Sequence, residues 1–240
     1  MIRNSFIFLE KVSKKKEQNI LKQGIKDWNG FLQTKKIKGI SNRSKSYFDR
    51  KIKEAKLFLL KDSPSYFINK LPKKEMWRLY SYFKDDCCFL DIEIDSYGKV
   101  ILVGISNHFE TKHFVKGINL DLVENELSKY KIIVTFNGSS FDLPKLKKMD
   151  IEINLAHIDL KPLCINLNLK GGLKEVEKIL NLKRPSHLHG NPVQLWKAFH
   201  ASGDQEYFNL LLEYNREDCE NLIEIMDYVY KEMSNKLYKQ

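Results

Sequence analysis

No apolar run in the 240-residue sequence approaches the ~18 residues a membrane-spanning helix needs, so no transmembrane helix is expected. The N-terminal stretch "NSFIFLE" is too short for a signal peptide, and Glu10 interrupts it. Cysteine is scarce. Cys87, Cys88, Cys164 and Cys219 never stand at CxxC spacing. Neither a zinc site nor a disulfide framework is indicated, and a reducing, intracellular, cytoplasmic setting is expected. There is no internal repeat, no low-complexity segment and no helicase motif, so any duplex unwinding falls to a helicase or repair partner of unknown identity. "GSS" does not make a G-x-S-x-G nucleophile elbow. No third member accompanies a Cys164–His157 pair. "SHLHG" offers His187 and His189 without the further ligands a metal site needs.

What is present is a chain 42% hydrophobic, enough for a sizeable core, with a formal charge of +10. The charge is uneven. Residues 1–86 carry 22 Lys and Arg against 9 Asp and Glu, or +13, and residues 87–240 carry 19 against 22, or −3. A basic lobe on a slightly acidic body suits a polyanion held by one part and acted on by the other. A lysine-rich solvated surface fits the charge equally well.

The hydrophobic pattern divides the chain at the same place. Residues 1–85 read as a basic, mostly helical region, and residues 86–240 as an α/β domain. "EKVSKKKEQNILKQGIKDWNGFLQ" has short amphipathic segments around Gly24 and is similar to a degenerate helix-hairpin-helix, with lysines where the first hairpin glycine usually stands. Residues 45–62 read as a second helix and "LPKKEMWRLYSYF" as a third. From Cys87 onward "CCFLDIEI" and "KVILVGIS" are strands around a "DSYG" turn, and "TKHFVKG" is a third strand. "NLDLVENELSKY" is a helix capped by Asn119 or Asp121. "KIIVTF" is a strand, "FDLPKLKKM" opens a helix and "INLAHIDLK" holds a further strand. "GGLKEVEKILNL", "NPVQLWKAFHAS" and residues 204–233 are helical. Hairpin strands followed by alternating helix and strand indicate an α/β fold with a mixed sheet.

Carboxylates stand at unusual places in this pattern. Asp91 and Glu93 lie at the end of the apolar strand "FLDIEID". Side chains alternate along a strand, so the two share a side about 7 Å apart. Ligand sites in open α/β sheets gather at the carboxyl ends of strands. Asp142 follows the end of another apolar strand. With residues 207–229 on a helix at ~100° per residue, Leu211, Tyr214, Leu222, Ile225 and Val229 form one apolar stripe, and Asp218 falls in its middle. Taken singly, D-x-E also fits a strand running into a charged turn. Asp142 also fits an acid at a helix start, and Asp218 an acid bonded to buried amides or to Tyr214. Together they place four acids, with no Lys or Arg on the stripe of Asp218 or in "FLDIEID". Carboxylates gathered without cations raise one another's pKa values. Oxygen-only ligands suit Mg2+ or Mn2+, and two such ions can drive phosphodiester hydrolysis.

These residues resemble the three motifs of the DnaQ-like branch of the ribonuclease H-like superfamily. "DIE" matches D-x-E, "NGSSFD" matches N-x(2–3)-F-D, and "YNRED" matches Y-x(3)-D. The chain from about residue 71 to 231 is more closely similar to the YprB-type ribonuclease H-like family, through "LPKKEMWRLYSYFKDDCCFLDIE", "YKIIVTFNGSSFDLPKL", "HIDLK", "GGLKEVEKILNL" and "LLEYNREDCENL". One departure is Ile94, where that family carries a small or hydroxyl residue. The resemblance implies a five-stranded mixed sheet flanked by helices. It also implies two Mg2+ or Mn2+ ions held by Asp91, Glu93, Asp142 and Asp218, and Tyr214 orienting the attacking water. The implied activity is a 3′–5′ exonuclease of DNA repair or processing, acting on single-stranded DNA or frayed ends and nucleoid-associated where it acts on DNA.

Asn137, Phe141, His157, Asp159, Gly171 and Gly172 are candidates for substrate contact. Tyr97, Trp196, Phe199, Lys145 and Lys170 are candidates to line a groove for a single strand, although core packing also suits the aromatics. RNA on the same site, and a catalytically silent nucleic-acid-binding module, are the alternative readings.

Overall fold

The structure is a computed structural model that describes residues 1–188 and 191–238, the side chain of Tyr238 excepted. Local caps organise the basic N-terminal region. Ser13 caps α1 (Lys14–Leu21), Asp27 caps α2 (Trp28–Gln33) and Ser41 caps α3 (Asn42–Leu60), each side chain accepting from a first-turn amide. The short α4 (Ser65–Ile68) follows.

The third helix expected in "LPKKEMWRLYSYF" is a 3-10 helix, Lys73–Leu79. Glu75 through Leu79 are all buried, whereas an amphipathic α-helix leaves one face in water. The segment is buried all round and pinned by charge. The guanidinium of Arg78 bonds Glu17 and Glu75, each at 2.9 Å, with all three side chains 1% exposed. Ile2, Phe6, Trp28, Phe67 and Trp77 join Leu222, Ile225 and Val229 in one core cluster.

Five strands follow the sequence pattern. They are β1 (Cys87–Ile94), β2 (Val100–Ser106), β3 (Thr111–Val115), β4 (Ile132–Thr135) and β5 (Ala156–Asp159). Their order is β3-β2-β1-β4-β5. β1 pairs antiparallel with β2 and parallel with β4, so the sheet is mixed as expected. Between β3 and β4 the expected helix shortens to a 3-10 turn and α5 (Val123–Leu127). Asn119 turns back to accept from the Val115 amide, so it does not cap α5. α6 (Asp142–Lys147) follows β4.

α7 (Leu160–Asn166), capped by Asp159, was not expected from the sequence. At seven residues it is too short to show a period, though Asp159 and Pro162 mark its first turn. α8 (Leu173–Ile179), α9 (Pro192–Ser202) and α10 (Gln205–Tyr238) complete the chain. No helix among the described residues is long and apolar enough to cross a membrane.

Alternation along β1 decides what the sheet does. Cys87 and Phe89 face the cluster that holds Leu222 and Ile225 of α10, and Cys88, Leu90 and Ile92 face the cluster that holds Val123, Leu127 and Leu146 of α5 and α6. Continuing the odd-numbered face past Phe89 puts Asp91 and Glu93 under α10. The last pair with β4 is Phe89↔Val134, so both acids stand beyond the end of that strand.

Candidate metal centre

α10 supplies the third acid. Leu211, Asn215, Asp218, Leu222, Ile225 and Val229 are all buried along one stripe, and the odd member, Asp218, meets the acids of β1. One ligand oxygen each from Asp91, Glu93 and Asp218 lies within 4.8 Å of the other two. Asp142 stands outside this trio at the start of α6. Its carboxylate is 3% exposed, and its Oδ1 is buried without a partner. It still acts on the trio as a nearby like charge. Ile94, the departure from the family pattern, packs against the opposite core face beyond a register shift after Glu93, and so does not crowd the acids.

Burial, then the neighbouring acids, pushes the Asp91 carboxyl well above its ordinary range. Burial and then Asp218 push Glu93 up to about 8, with Lys174 and Arg184 pulling the other way. Burial takes Asp142 up to about 7, although its own amide and that of Ile92 oppose the rise. No described residue donates a hydrogen bond to Glu93. Three acids of raised pKa, an all-oxygen donor set and an orphaned buried Oδ1 fit a hard divalent cation.

All three acids with raised pKa values keep their protons to higher pH in the folded chain than in the unfolded one. Between about pH 4 and about pH 8 the folded state therefore binds the extra protons, and stability falls as pH rises across that window. His113 and His157, held neutral down to about 4 by burial, work in the opposite sense, but only below the ordinary histidine value of 6.5. Above pH 7 the acids prevail. The metal-free protein is expected to melt about 5 °C lower at pH 8.5 than at pH 7, the shift that ~2 kcal/mol gives a chain of this length. Added Mn2+ should restore the difference, and a melting temperature that rises over this interval would contradict the assignment.

The sequence left the acids without cations, and here the structure corrects it. Lys174 of α8 and Arg184, just beyond it, both bond Asp218 Oδ1. Arg184 is anchored by Glu177 at 2.9 Å, which in turn accepts from Asn221. The Tyr214 ring lies beneath both cations, 4.2 Å from Lys174 Nζ and 5.2 Å from Arg184 Cζ. Burial, then Asp218 and Glu93, raise the Tyr214 pKa, so the phenol keeps its proton.

Asn215 is a third residue the sequence reading missed. It is fully buried, and its Nδ2 donates to Asp91 Oδ2 at 2.9 Å. Its position three residues before Asp218 and four after Leu211 was the available signal.

The remaining candidates serve mostly to hold the loop before α6. Asp159 accepts from the amides of Asn137, Ser139 and Lys161. His157 bonds Thr135 Oγ1 at 2.9 Å, and that hydroxyl takes the Gly138 amide. Asn137 has a positive φ of 68° in the resulting turn. Phe141 precedes Asp142, half-buried against the core, with Lys145 over its ring. The Gly172 amide, expected to be bare, is taken by Glu175. Lys145 reaches Gly98 O, which fixes the hairpin that carries Tyr97, 87% exposed. Trp196 and Phe199 pack among His200 and Phe208, and Lys170 is exposed. His187 bonds Glu213, and His189 lies outside the described residues. Burial keeps the Cys164 thiol protonated, with its pKa up to about 12.

No curated protein matches the chain. The family model RNase_H_2, of the RNase_H superfamily, matches residues 88–230. That span covers more than half of the chain and holds the four acids and Tyr214, and the protein belongs to this ribonuclease H-like family.

Proposed function

We propose that the protein is a 3′–5′ exonuclease of the YprB type within the DnaQ-like branch, trimming single-stranded DNA or frayed ends during DNA repair or processing. Family membership suggests a nucleic-acid hydrolase that uses divalent metal. The observation that carries the finer reading is the convergence of Asp91 and Glu93 with Asp218, more than a hundred residues later, within 4.8 Å.

Asp91, Glu93, Asp142 and Asp218 would hold two Mg2+ or Mn2+ ions. Ions bound there supply an activated water and stabilise the leaving oxygen. Asn215 fixes the Asp91 carboxylate through its amide. Tyr214, its proton retained, orients the water as a neutral phenol and does not act as a phenolate base. The loop held by Asp159 and His157 sets Asp142. Residues 1–85, with their surplus of Lys and Arg, hold the strand by its phosphates, and Tyr97 offers an exposed ring for a base to stack on.

The test uses end-labelled single-stranded and duplex DNA and RNA with Mg2+, Mn2+ or EDTA. Product is expected only with metal, shortening from the 3′ end, and on single-stranded DNA ahead of RNA. Tyr214→Phe should slow the reaction about 10²-fold, the loss typical of a positioned proton-handling group. Shortening from the 5′ end, or product in EDTA, would refute the reading.

A further inference from the structure

We propose that Lys174 and Arg184 are a built-in counter-ion that holds Asp218 until a divalent ion takes the acid, and that Lys174 then turns to a phosphate of the nucleic acid. The inference rests on the nuclease reading above and adds a coupling to it: metal and nucleotide each tighten the binding of the other.

Two cations share one oxygen, Asp218 Oδ1. Glu177 also pairs with Arg184, so two carboxylates answer the two cations, while among the described residues no cation bonds Asp91 or Glu93 close by. The charges are thus unevenly distributed, balanced on the α8 side and in negative surplus on β1. A divalent ion among the three acids corrects that surplus but sets like charges facing each other across Asp218.

The two cations are not equally free to leave. Arg184 is 15% exposed and held by Glu177. Its Nη1 is buried and has no partner among the described residues. Lys174 is 33% exposed, bonds Asp218 alone among the described residues and rests on the Tyr214 ring. Its flexible stem and point charge suit a phosphate oxygen. The mobile cation is therefore Lys174, with Arg184 as the fixed post, and the unpartnered Nη1 is a donor in place for the same anion.

Binding linkage is reciprocal, which gives a readout apart from activity. Free Mn2+ is followed by electron paramagnetic resonance as it is titrated into the full chain, with and without thymidine 5′-monophosphate, which has no phosphodiester to cleave. Wild type should bind Mn2+ about tenfold more tightly with the nucleotide than without it, within the usual range of coupling between sites. Lys174→Gln should bind Mn2+ severalfold more tightly than wild type when nucleotide is absent, and should lose most of the nucleotide-induced gain. Lys174→Arg should recover the gain. Equal Mn2+ affinity in wild type and Lys174→Gln, or an undiminished nucleotide gain in the variant, overturns the inference. Asp218→Asn separates the two levels. If it abolishes Mn2+ binding while Lys174→Gln changes nothing, the metal site stands and only the counter-ion falls. If it binds Mn2+ as wild type does, the site assignment fails and the counter-ion fails with it.

Discussion

Glu93→Gln is expected to abolish hydrolysis and, at the same time, to make the metal-free protein harder to melt. The two effects have one cause. Glu93 has no hydrogen-bond donor among the described residues, stands against Asp91 and Asp218, and has its pKa pushed up to about 8 by burial and then by Asp218. Near pH 8 the folded chain therefore bears the cost of a half-buried anion beside two others. Glutamine keeps the shape and removes the charge. The expected gain is about 1 kcal/mol, which raises the melting temperature of a chain this long by ~2–4 °C. The slope of stability between pH 7 and pH 8.5 should flatten as well. Activity moves the other way. A metal ion contributes several kcal/mol to a phosphoryl-transfer transition state, and each 1.36 kcal/mol is a factor of ten, so losing a ligand should cost about 10³-fold or more. Melting in EDTA and initial rates on labelled oligonucleotide check the pair. A carboxylate kept for the fold alone would show the reverse, with lower stability and nearly intact rate, and that outcome would remove Glu93 from the site.

The opposed signs explain why the acids could be read from the sequence and their partners could not. A carboxylate on an apolar stripe breaks a local rule, and local rules have periods of two or 3.6 residues that a sequence displays. Asp91 and Glu93 broke the strand pattern, and Asp218 broke the helix pattern. The five strands and the long final helix were legible for the same reason. Lys174 and Arg184 break nothing where they stand. They are surface-type residues on and after a seven-residue helix, and they meet Asp218 across sequence separations of 44 and 34 residues. The cations come from another layer, and no pattern along the acids' own elements displays them. The 3-10 segment Lys73–Leu79 escaped for a different reason. It is buried all round, so it has no wet face to set a phase. Asn215 was legible in principle, since it shares the stripe with Leu211 and Asp218, but an amide there reads as a weaker exception than a charge does.

Gly104→Ala is expected to damage fold and site together, through one methyl group. Gly104 lies on β2 directly opposite Asp91. A Cβ there would stand 2.0 Å from Asn215 Oδ1, 2.9 Å from Asn215 Cγ and 2.7 Å from Cys219 Sγ. None of these atoms can move aside. Asn215 and Cys219 are fully buried on a helix packed against the sheet, and the Asn215 amide is bonded to Asp91. The absent side chain on β2 is therefore what allows α10 close enough to the sheet for Asn215 to reach the first acid of the centre, and for Asp218 to reach the other two. Overpacking of this kind costs ~1–3 kcal/mol, here about 2–12 °C in melting temperature. Mn2+ affinity should fall with it, by the roughly 10–100-fold typical when a group supporting a ligand is displaced. A double-mutant comparison isolates the contact. In an Asn215→Ala, Cys219→Ala background the opposing atoms are gone, and adding Gly104→Ala should then cost little further stability. Metal affinity in that background should already be low, because Asp91 has lost its amide partner, and it should not drop again. If the methyl group proves as costly in the background as in the wild-type chain, the close approach of α10 to β2 is not what sets the acids, and the link between this glycine and the centre is broken.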